Sequence, residues 1–585
     1  MKRFALLCLA LLGFALPAAA APAVWLQPSL SRVAREAPAQ NAPTLDLYAA
    51  KGETEGFQVA VRGPATGVRL VLPTSADLTF SCYIERYLYA RGSGAWSSQT
   101  NKPGGAGWYP DALEPGSGPV AIAEGQTQPF WVDVTVGRSA TPGVRALPVQ
   151  VVSDQGTATV SINLRIWDFT IPLKPALRSA FLTWGTRKQI QPDKLLLAHR
   201  VNPYLLDKTQ EATLMATLGL QSSHLGYFSE VGSAVSINPP PSQATLQAAV
   251  ASHPPGLWLY NYTADEITGK TALYPMLKTW HKALDAVGVQ QLITMVPDPL
   301  LWDDGAGKPA VDTWVVLPKQ DQASRPLMDT ALAKGCTLWS YNTLSQDDYS
   351  PKWLVDFAPI NCRIQPGFSN FTRGMTGLLY WSVDKWTSDP WHDLGTGQQG
   401  DGLLVYPWQG GTAPSIRLKR LRDGVDDYDY LTLLKAKDPT KAKLLSSSVA
   451  FDWKTWTRDP LLLESTRRQI GEALSEVVAP PPPPPPPPAP AHTLTAAVTL
   501  SARSVRRGKA ITCKAAATDC LPHTGFAYAW SDGGGGGRFS SPTSKESVYT
   551  APTSPKTVTI SLTVTCKWQL PWVSATAARS LEVKR

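Results

Sequence analysis

The sequence has 585 residues, a formal net charge of +9 and an unusually large number of tryptophans, 21. This length implies several domains. The positive charge is concentrated at one end, because residues 493–585 contain twelve Lys and Arg against four Asp and Glu. The basic character therefore belongs to the C-terminal part alone and is no evidence for a nucleic-acid enzyme, so we expect no nucleic-acid partner.

The first 21 residues predict a secretory signal peptide. Lys2 and Arg3 form a positive region, residues 4–16 are apolar, and residues 17–21 are the small residues of a cleavage site. The apolar run is too short for an ordinary membrane anchor, and no second long apolar run follows. We expect an exported bacterial protein without a transmembrane segment, either secreted, periplasmic or at the cell surface.

Residues 22–175 predict an N-terminal β-sandwich domain. Short segments such as GFQVAVRG, PFWVDVTV and ATVSINLRIWDF are rich in β-branched and aromatic residues, and Pro and Gly separate them. No long helical period interrupts the pattern.

In residues 176–478 short apolar runs alternate with stretches compatible with helices, and this pattern predicts a (β/α)8 TIM-like barrel as the catalytic domain. Stretches compatible with helices lie between many of its apolar runs, such as ALYPMLKTWHKALDAVG at 272 and ASRPLMDTALAKG at 323, and residues 415–437 and 459–478 also look helical. The charged residues of the 415–437 segment are expected to form a structural ion-pair network. The eight runs assigned as strands are AFLTWG at 180, SSHLGYF at 222, LWLYNY at 257, QLITMVPD at 291, TWVVLP at 313, TLWSYN at 337, GLLYWSV at 377 and GLLVYP at 402.

Residues 479–492 predict an extended linker, because they contain nine consecutive prolines. Beyond it, residues 493–585 resemble bacterial immunoglobulin-like and PKD-like β-sandwich modules. The order Cys513, Trp530, Cys566 is that of an inter-sheet disulfide over a buried Trp. The basic surface of this module could bind an anionic cell-surface polymer, or it could be merely solvated.

No group of residues predicts a metal or cofactor site. The remaining cysteines and the histidines are scattered, without the spacing of metal ligands. We therefore expect neither a metal nor a cofactor.

An acidic pair, Asp265 and Glu266, ends the apolar run that begins at Leu257. A buried strand is an unfavourable place for two acids, but the carboxyl end of a barrel strand is where such folds carry their chemistry. The alternative is a solvated loop with Asp265 as a helix N-cap. Adjacent acids point to different sides of a strand and do not match a direct-displacement pair, which is opposed at about 5–5.5 Å. They suit hydrolysis assisted by the substrate's own 2-acetamido group.

Aromatic residues at predicted strand ends favour sugar binding around this pair. Each of them could equally be a packing residue of the core. The candidate substrate-binding residues are Trp184, Tyr227, Tyr262, Trp339, Tyr341 and Trp381.

Several blocks in order resemble glycoside hydrolase family 123 and its uncharacterised barrel relatives, the domain of unknown function 4091, over residues 22–478. The blocks are KGETEGFQVAVR, GWYPDALEP, QTQPFWVDVTV, YTADE, GLLYWSVDKW, GDGLLVYP and SIRLKRLRDGVDDYDYL. The chain departs from the family pattern at Ile267, where relatives usually have Pro, and at Trp408, where a Gly is usual.

The resemblance implies an exo-acting enzyme on β-linked 2-acetamido sugars, similar to β-N-acetylgalactosaminidases, that retains anomeric configuration. Glu266 would be the general acid/base, and Asp265 would orient the acetamido group. The substrate would be a glycan or glycoconjugate. The alternative is a non-catalytic carbohydrate-binding or structural protein of the cell surface that keeps the barrel fold.

Overall fold

A computed structural model of the chain separates into two compact units, divided between Val477 and Val478. Residues 1–20 of the predicted signal peptide and the predicted proline linker lie outside the described residues. The structure describes residues 21–94, 101–183, 192–204, 206–228, 236–343, 347–475, 494–519, 526–566 and 573–585.

The N-terminal part of the first unit consists of two five-stranded sheets that pack face to face. The first sheet has the order β1-β3-β8-β5-β6 and the second β2-β10-β9-β4-β7. Buried side chains from both sheets, among them Phe57, Val132 and Ile162, form one apolar core. The strands are β1 (Val24–Pro28), β2 (Thr44–Lys51), β3 (Thr54–Arg62), β4 (Ala65–Val71), β5 (Leu78–Ala90), β6 (Gly107–Pro115), β7 (Val120–Ile122), β8 (Thr127–Val136), β9 (Gly143–Ser153) and β10 (Gly156–Thr170).

Seven parallel strands follow and form a nearly closed barrel. Their order is β11-β17-β16-β15-β14-β13-β12, and every neighbouring pair is parallel. The strands are β11 (Arg178–Phe181), β12 (Ser222–His224), β13 (Trp258–Asp265), β14 (Gln290–Thr294), β15 (Thr313–Val316), β16 (Thr337–Asn342) and β17 (Gly377–Tyr380).

The prediction of an eighth barrel strand at GLLVYP is wrong. The structure places this run in β18 (Val405–Trp408), which pairs in an antiparallel hairpin with β19 (Gly411–Pro414). The open side of the barrel is instead bordered by a short segment that makes one parallel bridge, between Phe181 and Pro203. The amide of Asn202 reaches across to the Ser222 hydroxyl at 3.2 Å. Two backbone hydrogen bonds connect this segment to β11, from the Phe181 amide to the Asn202 carbonyl at 2.9 Å and from the Tyr204 amide to the Phe181 carbonyl at 2.8 Å, and we call this position the seam.

Helices lie between most of the barrel strands. Predicted helical stretches are confirmed at residues 274–285 and 325–333, and an apolar stripe of Leu277, Trp280 and Leu284 packs one of them against the sheet. The helices are α1 (Asp193–Ala198), α2 (Glu211–Leu218), α3 (Gln243–Ala251), α4 (Tyr274–Asp285), α5 (Pro318–Ala323), α6 (Arg325–Ala333), α7 (Ile360–Ile364), α8 (Asn370–Arg373), α9 (Ile416–Lys437), α10 (Pro439–Val449) and α11 (Pro460–Leu474), with 3-10 turns at Lys208–Gln210, Thr271–Leu273 and Pro299–Leu301 and a π-helical turn at Gln365–Ser369.

The long helix α9 joins the barrel to the N-terminal sandwich. Its N-cap is Ser415, whose hydroxyl accepts a hydrogen bond from the Leu418 amide, and its charged side chains from Arg417 to Asp429 are buried rather than solvated. The Arg417 guanidinium donates to both carboxylate oxygens of Asp111 on β6, each at 2.8 Å. Tyr406 donates to the same carboxylate at 2.5 Å. The predicted ion-pair network of this segment is thus confirmed, and it crosses the interface between the two parts.

The second unit is a pair of four-stranded sheets, ordered β20-β22-β25-β24 and β21-β27-β26-β23, around one core. Trp530 is buried in this core, but Cys513 and Cys566 are free thiols, so the predicted disulfide is not formed. An immunoglobulin-like topology stays a prediction. The strands are β20 (Leu494–Leu500), β21 (Ser504–Arg506), β22 (Ala510–Asp519), β23 (Phe526–Ser531), β24 (Arg538–Phe539), β25 (Glu546–Thr550), β26 (Lys556–Cys566) and β27 (Val573–Lys584).

None of the helices within the described ranges is long and apolar enough to cross a membrane.

Candidate active site

A β-bulge in β13 determines where its last residue points. Tyr262 pairs with Leu292 and Ala264 with Ile293, so Thr263 is an extra residue without a partner in the register. In a regular strand, positions 262 and 265 would lie on opposite faces. With one residue bulged, Tyr262 and Asp265 share the inner face, while Ala264 packs outward among the helices.

Asp265 is anchored inside the barrel mouth by hydroxyl groups. The Tyr262 phenol donates to its Oδ1 at 2.7 Å and lies 2.6 Å from the Thr294 hydroxyl. Burial raises the pKa of Asp265 to about 6; the Tyr262 hydrogen bond opposes this rise, and the nearby charge of Glu266 adds to it. The carboxyl is therefore held in one orientation and is mostly ionised at neutral pH.

Glu266, the next residue, has a different environment. Its backbone lies in the left-handed region at φ 53°, which residues other than glycine rarely adopt. Its side chain is exposed. The turn directs the chain away from the strand direction immediately after Asp265. Two adjacent acids thus differ in burial and anchoring, which is the arrangement expected of a pair with two separate roles.

A third acid, Asp401, lies at the same end of the barrel. The Gly402 amide donates to the Tyr380 phenol at the end of β17, and the Lys385 amide donates to the Gly402 carbonyl, so this loop covers the carboxyl end of the strand. Burial raises the pKa of Tyr341, and the negative charges of Asp265, Glu266 and Asp401 raise it further. Tyr341 therefore lies among all three acids.

The predicted aromatic residues do not all converge on this mouth. Tyr262 and Tyr341 do, sharing one cluster inside the barrel. Trp381 is half-buried beside them, with the Lys385 ammonium 4.8 Å from its ring centroid. Trp339 is fully buried and packs on Trp258 at the start of β13, seven residues before Asp265, which is a core position.

One further predicted residue, Tyr227, does not line the mouth. Tyr227 packs on Trp280 of α4, outside the barrel, at 6.3 Å between ring centroids. Its neighbour Phe228 instead contacts Tyr262 at 5.3 Å and is 43% exposed. The prediction for Trp184 lies outside the described residues.

Three residues at the mouth were not predicted from the sequence: Thr294, Phe228 and Asp401. Thr294 ends the strand next to β13, so parallel neighbours could have indicated it. Phe228 is one position away from a predicted residue, and the register of a three-residue strand cannot be read from its sequence. Asp401 lies in a glycine-rich loop without a strand pattern.

Among the residues that the structure describes, no group of three or more His, Cys, Asp or Glu side chains is placed to hold a metal ion. The donors at the mouth are carboxyl, phenol and hydroxyl groups around an aromatic wall. Such a set can transfer protons and accept hydrogen bonds from a polyhydroxylated ligand.

Comparison with protein families assigns residues 304–434 to the model "Glycoside hydrolase 123, catalytic domain". The matched region includes Tyr341, Trp381 and Asp401 but begins after Asp265 and Glu266. The comparison with curated proteins found no match.

Comparison with solved structures supports the same fold. A family 123 glycoside hydrolase from Clostridium perfringens, whose structure addresses glycolipid glycan hydrolysis, aligns with a TM-score of 0.55 at 12% identity and covers 77% of this chain and 98% of its own. An endo-β-1,4-mannanase from Thermotoga petrophila covers 71% of this chain and 99% of its own at 8% identity, but its TM-score is 0.20. An α-galactosidase-like protein from Bacteroides fragilis covers 71% and 80% at 10% identity and a TM-score of 0.19. Only the first value indicates a shared fold.

Proposed function

We propose that this chain is an exported exo-glycosidase that removes β-linked 2-acetamido sugars from glycans or glycoconjugates, because residues 304–434 match the glycoside hydrolase 123 catalytic-domain model and the fold is similar to that of a family 123 glycoside hydrolase. The observation that carries the proposal is the contrast between its two adjacent acids. Asp265 is anchored by Tyr262 and ionised at neutral pH, whereas Glu266 is exposed at the turn.

In the proposed mechanism, Glu266 protonates the glycosidic oxygen as the leaving group departs. Asp265 accepts a hydrogen bond from the acetamido N–H and orients the carbonyl oxygen toward the anomeric carbon. The acetamido oxygen bonds to the anomeric carbon as the bond to the leaving group breaks, which forms an oxazolinium-like ring. The Asp265 carboxylate stabilises the positive charge of this ring. Glu266 then removes a proton from the attacking water, and two inversions give net retention.

A test of these roles compares two variants on two substrates. The substrates are aryl β-glycosides of 2-acetamido sugars with a good and a poor leaving group, and kcat/KM is measured for each. Glu266→Gln should lose about 10²–10⁴-fold on the poor leaving group but much less on the good one, which needs no proton. Asp265→Asn should lose comparably on both, because the acetamido group is required in each case.

The control is Asp329→Asn, an exposed acid on α6, which should retain normal rates. Aryl glycosides without the acetamido group should be poor substrates, and a thiazoline analogue should inhibit competitively. Equal turnover of plain glycosides would refute the assisted mechanism. Binding of sugars without turnover of any glycoside would favour the non-catalytic carbohydrate-binding alternative.

A further inference from the structure

A cavity of about 500 Å³ opens on the N-terminal sandwich, where the start of β8 meets β5 and β6. The loop that follows β17 also contributes to it through Trp391 and His392. The proposed acids Asp265 and Glu266 do not line it. Its lining combines aromatic, amide and charged side chains, which is the composition of a binding site for a polar ligand with an apolar face.

One wall of the cavity is an exposed tryptophan. Trp108 is 48% exposed, although the residue that follows it, Tyr109, is buried. The Arg35 guanidinium lies 4.9 Å from the centre of the Trp108 ring, and the Tyr89 ring meets it edge-on at 5.5 Å. These contacts hold the indole in place and leave part of its apolar surface in water. Exposure of this surface costs free energy unless a ligand covers it.

A buried acid lies beside the cavity. Glu85 lines it and is completely buried, and neither of its carboxyl oxygens has a hydrogen-bond partner among the described residues. Burial raises the pKa of Glu85 to about 8, against the opposing charge of Arg420, so the group is mostly neutral at pH 7. A neutral carboxyl has one donor and free acceptor positions, and native proteins rarely leave such a buried group unmatched.

A pyranose ring has the complementary chemistry. Its apolar face stacks on an indole, and its hydroxyls both donate and accept hydrogen bonds. An apolar ligand would leave Glu85 and Gln126 without partners. An anion would gain little, because Arg86 is already paired with Glu114 and the Arg35 guanidinium is stacked on Trp108.

We propose that this cavity is a second carbohydrate site, which binds an uncharged pyranose unit of an extended glycan. The ring stacks on Trp108, and a hydroxyl, directly or through one ordered water, completes the hydrogen bonding of Glu85. The site would hold a glycan on the enzyme without taking part in bond cleavage. The inference goes beyond the proposed function, and it can be measured without turnover.

The experiment uses the full chain with Glu266→Gln, so that no bound glycan is cleaved. An array of short neutral oligosaccharides ending in β-linked N-acetylhexosamine is probed with this protein and with the added substitutions Trp108→Ala or Glu85→Leu. At least one oligosaccharide should bind, and each substitution should weaken its Kd by about tenfold, the loss of one ring contact or hydrogen-bonded group. Phe451→Ala, which removes an aromatic residue that is 62% exposed elsewhere on the unit, should change nothing.

Two controls separate this result from misfolding and from the active site. Trp108→Phe keeps a flat ring and should restore most of the binding. In the background with an intact Glu266, Trp108→Ala should leave kcat/KM on a small aryl glycoside unchanged. If no oligosaccharide shows binding that depends on Trp108, the second site does not exist, whatever the outcome of the activity assays.

Discussion

At the scale of single residues, the bulge at Thr263 is decisive, because it allows Tyr262 to reach Asp265. The phenol donates to one carboxylate oxygen at 2.7 Å and favours the ionised form of the acid. The proposed chemistry needs Asp265 ionised. Tyr262 is therefore a positioning residue that also sets the pH at which the site becomes active.

The substitution Tyr262→Phe removes this hydrogen bond and should raise the pKa of Asp265 above its value of about 6. Because the ionised form is the active one, kcat/KM should fall at a higher pH on the acidic side of the pH–rate profile. The alkaline side should stay in place. Tyr428→Phe, which removes a buried phenol that donates to the Met375 carbonyl, is the matched control and should not move the profile. An unchanged acidic limb in Tyr262→Phe would contradict the assigned role.

At the scale of elements, α9 connects two parts that the sequence presents as separate domains. The Arg417 side chain is almost fully buried, yet its guanidinium is saturated by Asp111 and by the carbonyls of Trp353 and Gly400. An ion pair of this kind adds little over an apolar pair, but removing one partner leaves a buried charge.

Asp111→Asn should therefore destabilise the first unit by about 3–5 kcal/mol. Urea unfolding followed by tryptophan fluorescence would measure the change in the full chain. The control is Asp285→Asn, which breaks an exposed pair with Lys308 and should have little effect. A similar small effect for both variants would show that the interface does not depend on this pair.

The elements also show what sequence patterns can predict. Short apolar runs separated by segments with helical periodicity correctly predicted seven of the eight assigned barrel strands, because a buried parallel strand has a distinctive short apolar run. The eighth run, at Val405, has the same apolar character but pairs in an antiparallel hairpin, and strand direction has no sequence signal. The seam at Pro203 could not be predicted, because a single bridge has no period. Trp339 looked like a strand-end residue although it is the third residue of β16 and lies deep in the core, because an apolar run does not mark where its strand ends.

At the scale of the whole molecule, the chain divides into two compact units, and the division falls next to the proline run. All the residues of the proposed site and of the second carbohydrate site belong to the first unit. The positive charge belongs to the second. Chemistry and surface charge are thus carried by different parts of the chain.

Deletion of residues 480–585 should leave kcat/KM on a small aryl glycoside almost unchanged, because the first unit has its own core. We expect the shortened protein to be retained less well on acidic polysaccharide, with the difference disappearing at high salt. Comparing both proteins by co-sedimentation at low and high ionic strength provides the measurement. Loss of small-substrate activity on deletion would mean that the second unit supports the catalytic one.

The backbone of Glu266 has a consequence for evolution and engineering. A residue with a side chain at φ 53° is roughly 1–2 kcal/mol less favourable than glycine there, so the acid at this turn lowers the stability of the protein. Glu266→Gly should melt at a higher temperature than the parent while losing its turnover. Selection for thermal stability alone would therefore favour loss of the catalytic acid while the fold is kept. Relatives that have lost activity should accumulate glycine or asparagine at this position.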